Sequence, residues 1–421
     1  MLTLNGLTPD FELIYTLRGH SQAINVALFS SDGSFLLTGG DDGVLNFWDI
    51  RNGCLHQTIP VPFHGPVLSA AWTYSHDLKR VTGVLFGCSN GTVQYYRKHA
   101  SEFVFVTIEL TSSLPGGVEE IAFDAHHSRV ATANGGVVKL WHLSPDGVLT
   151  ELHTSDNEDS MISSLFFCEG GEQLVVCYLE SHNVVSFQAE NWALNWSHKL
   201  PRRIGSASGL PNGTLAVTNL ASGLDVFNFP PTQILHTYSH QVAQNVRLQI
   251  ATLCNGELLV VGSDDGKPRV VNRASGNGFD RALDHGMGIV STVGSLQQLG
   301  TSYVVSAASE APYEVKVWSV KTASNLSRGD GGRPGRSIST AQFALIAVLC
   351  CLAQVIASRF LFASVTDGES GSKPFTIENL TPPTTPSQSL SSAAPRSLAI
   401  LQTDAVLRLT ETCSNESPTL L

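Results

Sequence analysis

Charge is what this chain has least of. Only 14% of its 421 residues are Asp, Glu, Lys or Arg, against about 25% in an average soluble domain. Basic residues are the scarcer sign. Lys and Arg number 25 against 36 Asp and Glu, for a net charge of −11. A protein that tracks nucleic-acid phosphates needs a cationic surplus, so that class is excluded. The eight cysteines form no Cys-x-x-Cys pair and none has a histidine at zinc-ligand spacing. Five of them fall before residue 320, an odd number that suits buried thiols in a reducing compartment. Residues 1–10 lack a basic start and an apolar run, so no signal peptide is expected. No glycine-rich dinucleotide fingerprint, P-loop, His-Glu-x-x-His or Gly-x-Ser-x-Gly elbow occurs. The expectation is a non-enzyme with no cofactor and no metal.

Glycine is plentiful, at 37 residues, and methionine rare, at three. That balance suits short strands and tight turns. A recurring pattern organises them. Thr38-Gly-Gly-Asp-Asp-Gly-Val-Leu-Asn-Phe-Trp-Asp49 sets an Asp/Gly turn before an alternating apolar run that ends in an aromatic residue. Related turns centre on residues 43, 91, 136, 183, 223, 266 and 313, spaced by 40 to 48 residues. A period of about 45 residues with several strand-like runs per unit is the signature of a four-stranded propeller blade. Upstream strands are expected over 24–29 and 35–38 in the first unit, 119–124 and 129–133 in the third, and 246–251 and 258–261 in the sixth. The run 11–17 precedes the first complete unit, and the last unit ends at its third strand. The N-terminal run can therefore supply the missing strand and close the ring, which an unpaired edge would otherwise leave open.

These features resemble the WD40-repeat family. Unit one carries the motif most fully, with Gly19-His20 and Trp48-Asp49. The resemblance implies a buried, hydrogen-bonded tetrad of His20, Thr38, Asp42 and Trp48, and it covers residues 11–320. Other units depart from it. Unit two has Phe86 and Asn90 where the hydroxyl and the Asp belong. Unit three has Gly135 at the Asp position, and Gln188 and Asn228 stand at the Trp position of units four and five. Unit six keeps Asp265 beside Val261 and Val271. The implied fold is an all-β, seven-bladed propeller over residues 1–320.

Beyond residue 320 the composition changes. Residues 321–336 form a Gly/Arg linker. Residues 337–358 hold 22 positions without a charge, with a hydropathy in the membrane-spanning range, so 337–365 is expected to be a transmembrane helix. A buried apolar stretch is the competing reading. Basic residues before the segment and acidic ones after it place the propeller in the cytosol by the positive-inside rule. Residues 366–421 are rich in Ser, Thr and Pro and are expected to be disordered. The charge divides with the domains: residues 1–320 carry −12 and the remainder +1.

Several side chains invite a functional reading. Trp192 and Trp196, four residues apart, would share one face of a strand, either packed between blades or displayed to a partner. An acidic loop at 151–159 would be solvated or face a basic partner. His126-His127 would be an exposed turn rather than a metal pair. Asp41-Asp42-Gly43 and Asp264-Asp265-Gly266 lack the further ligands of a calcium loop. The expected role is a protein-protein interaction scaffold tethered to an endomembrane through 337–365, with the propeller in the cytosol. The alternative is a small-GTPase regulator, because a propeller followed by one span is similar to the architecture of the COPII coat's exchange factor. A metal-dependent propeller hydrolase is a third possibility.

Overall fold

The structure, a computed structural model, describes residues 10–75, 80–110, 116–273, 278–298 and 301–321. The apolar segment 337–365 and the Ser/Thr/Pro-rich tail lie outside those residues. Among the described residues no helix is long and apolar enough to cross a membrane.

Seven antiparallel four-stranded sheets make up the described chain. Six are sequential: blade one over 24–60, blade two over 67–110, blade three over 120–154, blade four over 162–199, blade five over 204–239 and blade six over 250–282. Blade seven is composite. Its inner three strands span 292–321, and its outer strand is the N-terminal segment Asp10–Leu17, which pairs antiparallel with Val315–Lys321. Both ends of the ring thus meet in one sheet, and no blade is left short of its edge strand. The innermost strands touch in ring order, and the first, Ile24–Phe29, touches the last, Thr292–Gln298.

The core is divided in the same way. Seven clusters of buried side chains each fill the wedge between two neighbouring blades. Between blades one and two, Phe47 stacks on Phe103 with ring centroids 4.3 Å apart, and Trp72 meets Phe47 edge-on. Burial of one such side chain contributes about 1.5–3 kcal/mol. Each strand sends alternate residues into the wedges on either side, so the middle strands are buried on both faces. Phe35–Gly40 and Arg129–Asn134 are buried along their full length.

Blade six is the slightest, with strands of four, four, four and two residues. Its inner strand begins at Ile250 rather than at 246. The preceding segment is pulled aside, because the Asp264 carboxylate accepts the backbone N–H groups of Ala243 and Gln244 at 2.5 and 2.9 Å. Asp265 keeps the turn contact of Asp42, accepting the backbone N–H of Lys267 at 3.2 Å, while Asp264 takes over its hold on the upstream segment.

Candidate functional site

In blade one the structure brings His20, Thr38, Asp42 and Trp48 together. His20 Nδ1 lies 3.0 Å from Asp42 Oδ2, and its Nε2 lies 2.8 Å from Thr38 Oγ1. The Trp48 indole N–H donates to the same hydroxyl at 2.9 Å. Asp42 also accepts the backbone N–H of Ser21 and of Val44. A consistent proton count follows. Nδ1–H donates to the carboxylate, Thr38 donates to Nε2, and Thr38 accepts from the indole. The ring is then neutral, in keeping with burial, which pulls its pKa down against the opposing pull of Asp42. Gly19 belongs to the motif for a steric reason: a Cβ there would sit 3.2 Å from the Trp48 ring.

Parts of the array recur where the sequence motif had faded. In blade seven, His285 Nδ1 lies 2.7 Å from Ser306 Oγ, which also accepts the Trp318 indole N–H at 3.0 Å. The order His, hydroxyl, Trp is that of blade one. Asp284 stands in place of the glycine, which hid the motif from sequence reading. His285 Nε2 is buried and has no hydrogen-bond partner among the described residues. Blade three keeps the last step alone, Trp141 to Thr132 at 2.9 Å. Blade two keeps the first, Asn90 Nδ2 to His64 Nδ1 at 3.1 Å.

This geometry and repetition find their counterpart among known proteins. The family model for the WD domain, G-beta repeat, matches residues 11–49, the closing strand and the first three strands of blade one. The chain is a WD40-repeat propeller protein. It is similar to Protein SLOW WALKER 1 of Arabidopsis thaliana, 24% identical over 231 residues, or 52% of this chain and 41% of that protein. It also resembles human Apoptotic protease-activating factor 1, 33% identical over 60 residues, or 14% of this chain and 5% of that protein. The chain thus spans less than half the length of these curated relatives.

The WD40 ring encloses a central channel with one charged crosspiece. Arg247, from the segment before blade six, donates to Glu120 Oε1 of blade three at 2.7 Å. It also donates to the carbonyls of Ser163 at 2.6 Å and Gly205 at 3.2 Å, at the inner strands of blades four and five. Burial raises the Glu120 pKa, and Arg247 opposes that rise. Sequence reading missed this group, since its members lie up to 127 residues apart and belong to no motif. Past the crosspiece, a depression of about 760 Å³ runs along the inner strands to the turns of blades four and five. Leu28, Leu165, Phe166, Leu210 and Phe229 supply apolar walls, and Ser164, Ser208 and Glu169 supply polar points.

The two tryptophans do not share a face. Trp192 lies in the turn before strand Leu194–Lys199, with φ +61°. It stacks on Phe187 at 4.8 Å and on His153 of blade three at 5.4 Å. Trp196 is on the strand and meets Phe229 of blade five edge-on at 5.3 Å. The pair therefore looks toward opposite neighbours, because the turn takes Trp192 out of the strand's alternation. Trp192 and the acidic loop do meet: with Asp156, Glu158 and Tyr178 it lines a pocket of about 470 Å³. Glu151 is not in that loop but on strand Leu149–Thr154, paired with Lys139.

The histidine pair and the described cysteines have structural surroundings. His127 is not simply solvated: its Nδ1 lies 2.8 Å from the buried Asp124 carboxylate, which also accepts from Arg129. Burial pushes the Cys88 and Cys168 thiols up to about 11, so neither is a ready nucleophile. None of the five described cysteines forms a disulfide, and only Cys88 and Cys177 are fully buried. Among the described residues no group of three or more His, Cys, Asp or Glu could hold a metal ion.

Proposed function

We propose that this WD40 propeller is a protein-interaction scaffold that receives a partner segment in the depression at the mouth of its channel. The observation that supports this most is the combination of a closed ring with an opening of about 760 Å³ whose lining is both apolar and polar. A rigid frame carries turns whose composition is free to vary, which is how binding surfaces are usually displayed. Phe166 and Phe229, both half-buried, are the anchors a partner's apolar side chain would meet. The pocket beside Trp192 offers a second, acidic and aromatic surface suited to a basic side chain. The test compares proteins retained by full-length chain with those retained by Phe166→Asp and Phe229→Asp variants of unchanged melting temperature. Selective loss of the same partners supports the reading; identical partner sets overturn it.

We further propose that residues 337–365 tether the scaffold to an endomembrane, leaving the propeller in the cytosol. Support comes from the 22 uncharged positions at 337–358 and the basic residues ahead of them. A tether would raise the local concentration of whatever the ring binds. Fractionation of full-length chain and of a chain lacking 337–365 tests this. A soluble full-length protein contradicts it. Exchange activity on a small GTPase remains the alternative for a tethered ring, and nucleotide-release assays decide between them.

A further inference from the structure

Positive charge is concentrated where the propeller otherwise lacks it. Residues 1–320 carry 17 basic and 29 acidic residues. Between Asp49 and Glu102, however, the sequence has one acid, Asp77, and five cations: Arg51, Lys79, Arg80, Arg97 and Lys98. Arg80, Arg97 and Lys98 belong to blade two. Gly83 pairs with Arg97, so residues 80, 97 and 98 gather at one end of that blade. There a groove of about 790 Å³ separates blades two and three. It lies apart from the channel mouth.

The groove is built for an anion with an apolar neighbour. Arg80, Arg97 and Lys98 line it, and among the described residues no Asp or Glu does. Its floor includes Tyr74 and Phe123, packed edge-on with centroids 5.7 Å apart. Arg97 is held in place from across the groove, where its Nη2 donates to the Pro145 carbonyl of blade three at 2.5 Å. Lys98 Nζ sits 4.8 Å above the Phe35 ring and makes a long ion pair with Asp32 at 3.9 Å. The carboxylate behind the blade-three wall, Asp124, is buried and already bonded to His127 and Arg129. Guanidinium forks match carboxylate and phosphate alike, and three cations together favour the doubly charged phosphate. A cluster of arginines and lysine over an aromatic floor matches a phosphorylated side chain followed by an apolar one.

We propose that this groove binds a phosphorylated peptide segment of a partner protein. Its phosphate sits between Arg80, Arg97 and Lys98, and a neighbouring apolar side chain covers Tyr74 and Phe123. The proposal holds whether or not the channel mouth is also a docking site. Fluorescence anisotropy of full-length protein tests it, with a labelled peptide pool of random flanks around a fixed phosphoserine and the same pool carrying serine. The phosphoserine pool should bind, inorganic phosphate should compete, and an Arg80→Glu/Lys98→Glu variant should lose about tenfold or more. An Arg51→Glu variant, altered outside the groove, should bind as the wild type does. Thermal melts confirm that each variant is folded. Equal binding of both pools overturns the proposal, as does binding unchanged in the double variant. Binding only to phosphatidylcholine vesicles containing a phosphatidylinositol phosphate also overturns it, in favour of a lipid headgroup.

Discussion

Blades one and seven place the same three groups in contact and differ in the fourth. Each packs a histidine against a hydroxyl that also receives an indole N–H. In blade one a carboxylate takes the other ring nitrogen. In blade seven that nitrogen is buried without a described partner. Asp42 thus does two things that no described residue does in blade seven: it fixes the tautomer of its histidine, and it gathers two backbone N–H groups. Blade one is a self-sufficient sheet built from one stretch of chain. Blade seven relies instead on a strand from the start of the propeller, Asp10–Leu17.

The comparison can be broken most severely at the borrowed strand. Deleting residues 10–17 removes the buried Phe11 and Leu17 and uncovers Val315, Val317, Trp318 and Val320. A loss of about 5 kcal/mol or more is expected, read as loss of a single cooperative melt.

Acid should strike the two blades unequally. Burial lowers the His285 pKa to about 4, with Lys316 adding to the fall, against an unfolded value of about 6.5. As pH drops below about 6.5, the unfolded chain takes up a proton that the folded chain refuses. Stability is therefore full above that value and declines toward pH 4, by about 3 kcal/mol from this residue. His20 shifts in the same direction, with Asp42 opposing. Denaturant melts across this range should be flatter for His285→Gln than for wild type.

Single substitutions sharpen the contrast further. Asp42→Ala strands the His20 ring N–H and two backbone N–H groups, at about 2–3 kcal/mol. Ser306→Ala strands one imidazole nitrogen and one indole N–H, and about 2 kcal/mol or less is expected in urea melts. The smallest effect belongs to the channel. Arg247→Met leaves the Glu120 carboxyl without its cation, yet both side chains keep about a third of their exposure, so about 1–2 kcal/mol is expected. Adding Glu120→Gln should recover part of it in the same melts.

How much was legible in the sequence follows the range of each interaction. The blades were legible because their turns and alternating strands are local, and Gly43 and Trp48 announce one within a few residues. The closing strand was legible as a surplus run at 11–17 facing a missing fourth strand. Arg247 was not, because nothing near residue 247 shows that blades three, four and five meet there. His285 was hidden by Asp284. Trp192 was misplaced because a positive φ takes it off the strand that its spacing from Trp196 suggested. The start of blade six was misplaced because Asp264 draws the backbone of Ala243 and Gln244 out of the sheet.

The propeller closes where its first and last strands pair, and amide hydrogen exchange of the full-length chain tests that closure most directly. Amides of residues 10–17 and 315–321 that are bonded in the sheet should be protected to the same degree and open together with the inner strands. Rapid exchange of 10–17 while 315–321 and the other blades stay protected would contradict it.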